Sequence, residues 1–116
     1  MVTGEDVRRL ARTLPRTEEA LVRDRPKFRV RGIVYVALSP DETVMGFGYP
    51  KEERAALVAA EPAKFQLPTP SDMRFNWVHC QLGEIDQDEM VELVVDAWCM
   101  VVPKFLAREY LAARGR

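Results

Sequence analysis

At 116 residues the chain has room for one domain built around one core. Apolar residues make up 47% of it and charged residues 30%, which excludes wholesale disorder, and no apolar run reaches the roughly 18 residues a bilayer-spanning helix needs. A formal net charge of −1 gives no general attraction to nucleic acid or acidic membranes, but the ends are basic and the middle is acidic.

In chain order, Thr3 reads as a helix N-cap with Asp6 in the capping-box position. Val7, Leu10, Ala11 and Leu14 recur at helical spacing until Pro15 stops the run, and Arg8, Arg9 and Arg12 occupy the other side. From Lys27 the period becomes two. Phe28 and Val30 alternate with Lys27, Arg29 and Arg31, and Ile33 to Leu38 is apolar, so a hairpin turning at Arg31-Gly32 is expected. That register sets Val30 against Ile33 and Phe28 against Tyr35, with Lys27 and Arg29 on the opposite face. Ser39 to Glu42 is a turn, and Thr43 to Tyr49 a third strand with Gly46 and Gly48 on one face.

Pro50 suits the first position of a second helix running to Glu61-Pro62. A short strand near Lys64 to Leu67, a proline-bearing loop and a longer strand from about Phe75 to Leu82 follow. Asp86 and Glu89 form a second capping box, and Met90, Leu93, Val94, Ala97, Trp98 and Val101 mark the buried stripe of the last helix. Pro103 kinks or restarts that helix, and Phe105 to Ala113 continues as a basic tail. The order αβββαββα, with hairpins rather than crossovers, predicts a single α+β domain over residues 1–116: an antiparallel sheet with helices on one face, a two-layer sandwich.

Several stretches resemble the MmcQ/YjbR family: FRVRGIVYVAL (Phe28 to Leu38), GFGYPKEERAAL (Gly46 to Leu57), EPAKFQLPTPSDMRFNWV (Glu61 to Val78) and VVDAWCMVVPK (Val94 to Lys104). With the leading helix they cover nearly the whole chain. The resemblance implies a two-layer fold similar to bacterial secretion chaperones and to the frataxin homologue CyaY. It also implies DNA binding, the label family members commonly carry. A frataxin-like iron role would want an acidic first helix, and here that helix is basic.

The residues themselves assemble no catalytic constellation, and a non-enzymatic protein without cofactor or metal is expected. His79 is the only histidine, and its neighbour Cys80 points to the other side of a strand, out of reach for activation. Gly46-Phe47-Gly48 lacks the third glycine and the context of a nucleotide loop, and reads as close packing or a bulge. The acids Asp86, Asp88, Glu89, Glu92 and Asp96 read as a helix start and its solvated side. Two cysteines and one histidine are too few for a zinc site or a disulfide framework. The N-terminus lacks the apolar stretch of a secretion signal, so a cytoplasmic location is expected.

Alternation places Lys27 and Arg29 on the same sheet face as Trp77 and His79, with Arg74 and Asn76 just ahead. Cations beside an aromatic ring are what a nucleic-acid surface uses, charge for phosphate and ring for base. Arg8, Arg9 and Arg12 with Lys104 and Arg108 form a second basic strip if the terminal helices are neighbours. The competing reading is a protein-interaction module or homodimer, joined through an open face bearing Val34, Val36 and Trp77.

Overall fold

The computed structural model describes residues 1–114. Helix α1 spans Gly4–Ala11 and opens on the expected capping box: Thr3 Oγ1 accepts the Asp6 amide at 3.3 Å, and Asp6 Oδ2 accepts the Thr3 amide at 2.9 Å. A meander of four strands follows, β1 Glu18–Val22, β2 Arg25–Val30, β3 Ile33–Leu38 and β4 Val44–Gly48. Then come α2 Arg54–Ala60, β5 Phe65–Gln66, a 3-10 turn at Pro70–Asp72 and β6 Trp77–Gln81. Helices α3 Gln87–Cys99 and α4 Lys104–Arg114 complete the chain. All neighbouring strands are antiparallel, in the order β1-β2-β3-β4-β6-β5. No helix among the described residues is long and apolar enough to cross a membrane.

The α+β class with an antiparallel sheet is as expected, but the element order has one more strand and a divided last helix. Strand β1 escaped the sequence because it is an edge strand, exposed along most of its length, and so has no apolar alternation to detect. It joins β2 through Arg23-Asp24, both at positive φ (53° and 64°), the geometry of a two-residue hairpin. The Arg31-Gly32 turn has the same form, with φ of 53° and 79°. Val30 faces Ile33 as expected, but Phe28 pairs with Val36, not Tyr35. A bulge between Phe28 and Arg29 shifts the register, so Tyr35 and Val36 are both fully buried. Val36 therefore leaves the open face on which alternation had placed it.

Helix α2 begins at Arg54 rather than Pro50, because Pro50 to Glu53 close as a turn first, the Glu53 amide bonding to the Pro50 carbonyl at 3.0 Å. Asp86 and Glu89 form the second capping box, and the restart at Pro103 separates α3 from α4. One sheet face and the helices share the core. Phe28, Val36, Leu38, Met45, Phe47, Val78 and Cys80 meet Val7 and Ala11 of α1 and Met90, Val94 and Trp98 of α3. Val95 is buried too, while Leu93 and Val101 of the expected stripe are only half-buried. Trp98 is fully enclosed, donating Nε1–H to the Pro15 carbonyl at 2.9 Å and packing on Tyr110 of α4 with ring centroids 5.0 Å apart. That hydrogen bond ties the end of the first helix to the third helix.

Candidate functional site

A single row of paired residues crosses the whole sheet: Ala20, Lys27, Ala37, Gly46, His79 and Gln66. Side chains in such a row share a face, and residues two apart on each strand join them. The face turned away from the core therefore carries Arg25, Lys27 and Arg29 on β2 and Trp77, His79 and Gln81 on β6. Between these strands lie Val34, Ala37, Val44 and Gly46. Along β2 and β6 the alternate residues Pro26, Phe28, Val30, Val78 and Cys80 are buried, while those on this face keep solvent access.

Gly46 decides where Trp77 goes. A Cβ at Gly46 would stand 2.7 Å from Nε1 and Cζ2 and 2.9 Å from Cε2 of Trp77, so one edge of the indole occupies the space an alanine would need. Trp77 starts on β6 and leans across β4, one strand closer to the cations of β2. Close packing is thus the use of this glycine. Contrary to the expectation from alternation, Gly48 does not share that face: at the end of β4 its Cβ position lies 3.7 Å from Ala97 and Met100, at the C-terminal end of α3.

The segment leading into β6 is held from behind by Arg54, which sequence reasoning missed. Its side chain is buried and donates to the backbone carbonyls of Met73, of Phe75 at 2.8 Å and of Trp77 at 3.3 Å. Three carbonyls from one irregular stretch give the guanidinium the acceptors a buried charge requires. The only sequence signal was a single arginine in the alanine-rich RAALVAA helix.

Asn76 belongs to the same brace. Its Oδ1 accepts the Lys51 amide at 3.0 Å and its carbonyl accepts the Tyr49 amide at 3.2 Å, so it ties a loop where a ligand contact was expected. Arg74 is exposed and lies over the Phe75 ring, 4.7 Å from its centroid, at the rim of the face.

Among the described residues Arg25 and Lys27 pair with no carboxylate, whereas Arg29 meets Glu18 of β1 at 3.2 Å. Arg25 joins the candidate set because β2 begins two residues earlier than the alternation from Lys27 suggested. Burial holds the His79 imidazole below its ordinary value of 6.5; Arg25 adds to that effect and Asp72 opposes it. The shift favours the neutral imidazole, and the fixed positive charge of the face comes from β2.

The second basic strip does not form as a free patch. Arg8 is held by Glu5 and Glu42, both at 2.8 Å, and by Glu19 at 3.4 Å; Arg12 meets Glu19 at 2.9 Å and Arg9 meets Asp6 at 3.5 Å. Lys104 and Arg108 are exposed on α4, which packs on α3 through Tyr110 and Trp98. The acids of β1 and of the β3–β4 turn converge on α1 and neutralise it, a long-range arrangement that a one-dimensional charge count cannot register.

His79 and Cys80 face opposite sides of β6, and burial pushes the Cys80 thiol up to about 12, so the two do not form a thiol–imidazole pair. Among the described residues no group of three or more His, Cys, Asp or Glu side chains is placed to hold a metal ion. The chemistry available on the open face is charge, one indole and hydrogen bonding.

Residues 12–100 match the family model described as YjbR. No curated protein matches the chain. Among solved structures, the chain is similar to the crystal structure of Deinococcus radiodurans protein DR2400, a DUF419-domain protein, with a TM-score of 0.75. That alignment covers 94% of this chain and 88% of the other at 21% identity, which establishes the shared fold and nothing finer.

Proposed function

We propose, for a chain that belongs to the YjbR family, a non-enzymatic DNA-binding role exercised through the open face of the sheet. The observation that carries this reading is the alignment of Arg25, Lys27 and Arg29 along β2, on the face where Trp77 leans toward them over Gly46. Side chains of this kind contact phosphates by charge and bases by stacking. Net charge −1 and the Arg29–Glu18 pair keep the attraction modest, so binding is weak and salt-sensitive. We place the protein in the cytoplasm, where two free thiols, Cys80 and Cys99, stay reduced.

Fluorescence anisotropy of labelled DNA titrated with the protein at low and moderate salt tests the role. Affinity that falls steeply as salt rises supports phosphate contact, and absence of binding at low salt removes it. The alternative, pairing with a second copy or another protein, is supported by edge strand β1, where Leu21 is 70% exposed. In that case sedimentation velocity finds a dimer whose stability hardly changes with salt.

A further inference from the structure

Resting on the nucleic-acid reading above, we infer that the ligand is single-stranded, lying across the strands from the β2 cations to Trp77. The indole sits over β4, the fourth strand in spatial order, with strands on both sides of it. Six strands at their usual spacing of about 4.8 Å make a surface about 24 Å across. The major groove of a duplex is about 12 Å wide and admits a helix or a two-stranded ribbon, not the middle of such a sheet. A duplex resting on this face brings phosphates to it and keeps its bases stacked inside, away from the indole. A single strand has bases free to stack.

The relief between the two groups suits the same ligand. From Lys27 the cross-strand row runs through Ala37 to Gly46, so no bulky side chain in that row separates the cations from the indole. About two strand spacings, roughly 10 Å, separate the Lys27 position from Gly46 beneath the ring. A backbone crossing there meets Lys27 and Arg25, which have no protein carboxylate partner among the described residues, while one of its bases reaches Trp77.

The test titrates the unmodified protein against a mixed-sequence 20-nucleotide strand and against the duplex of the same sequence, at equal low salt. The single strand is expected to bind at least about tenfold more tightly, consistent with one stacked base. Trp77→Ala is expected to remove most of that preference and Trp77→Phe to retain much of it, with circular dichroism confirming that both fold. Duplex binding equal to or tighter than single-strand binding overturns this inference and leaves the DNA-binding role standing. Failure to bind either form at low salt overturns both.

Discussion

Gly46 and Trp77 interlock across β4 and β6: the indole edge takes the volume that any side chain at position 46 would fill, with Nε1 and Cζ2 2.7 Å from a Cβ placed there. Gly46→Ala therefore forces the ring of the half-buried Trp77 to move. The expected cost is overpacking of about 1–3 kcal/mol, small enough to leave the fold intact. Trp98 is fully buried, so a red shift in tryptophan emission would report Trp77. Unchanged emission in Gly46→Ala would show that Gly46 does not hold the ring. If the indole contributes stacking, the same variant also binds single-stranded DNA more weakly, by about fivefold or more.

Arg54 makes a separate prediction about stability. Replacing it with Met removes the donor that serves the carbonyls of Met73, Phe75 and Trp77 and leaves them without their partner. Hydrogen bonds from a charged donor contribute about 1.5–3 kcal/mol each, and the acceptors near the loop surface regain water. A destabilisation of about 2–4 kcal/mol, or about 10 °C in Tm, is expected. Arg9→Ala, which removes a 70%-exposed partner of Asp6, should change stability by less than about 0.5 kcal/mol. Equal thermal shifts in the two variants would contradict the bracing role of Arg54.

The contrast between these two arginines shows what was legible in the sequence. Capping boxes at Thr3–Asp6 and Asp86–Glu89 and the Arg31-Gly32 turn are local, spelled within four residues, and could be read directly. Alternation likewise placed Lys27, Arg29, Trp77 and His79 on one face. The bulge that buries both Tyr35 and Val36 depends on how β2 and β3 pair, and the acceptors of Arg54 lie 19 to 23 residues away, in a loop whose path the sequence does not spell out. Strand β1 had no pattern to read because an edge strand exposed on both sides selects for none. The strip on α1 looked basic for the opposite reason, since its neutralising partners Glu19 and Glu42 come from other elements.

Charge reversal distinguishes the two basic regions. Lys27→Glu and Arg25→Glu should each weaken single-strand binding and reduce the slope of log affinity against log salt by about 0.7 for every phosphate no longer neutralised. Arg9→Glu on α1 should leave both quantities nearly unchanged, because that helix is already balanced by acids. A larger effect from Arg9 than from Lys27 would move the binding surface from the sheet to the helix.

His79 allows the electrostatics of the face to be measured directly, because it is the only histidine and gives one imidazole titration by proton NMR. Burial disfavours the charged ring, and Arg25 disfavours it further, so the folded protein should titrate below 6.5. Arg25→Gln should move the midpoint up, and Asp72→Asn should move it down. The linked effect on stability has a definite sign. As pH falls past the unfolded value of 6.5, the unfolded chain takes up a proton that the folded one resists. Stability that is complete above 6.5 is therefore lost as pH drops through the folded midpoint. Asp6 and Asp41 lie below the ordinary 3.8, whereas burial, with Glu92, raises Asp96, whose linkage runs the other way and stabilises the folded state as pH falls. The fall in Tm between pH 7.5 and pH 5.5 should therefore be smaller, or the rise larger, in His79→Gln than in the unmodified protein. A bound polyanion acts in the opposite direction, stabilising the imidazolium, so single-stranded DNA should raise the midpoint and bind more tightly at pH 5.5. A midpoint at or above 6.5 in the free protein would mean that neither burial nor Arg25 governs the ring.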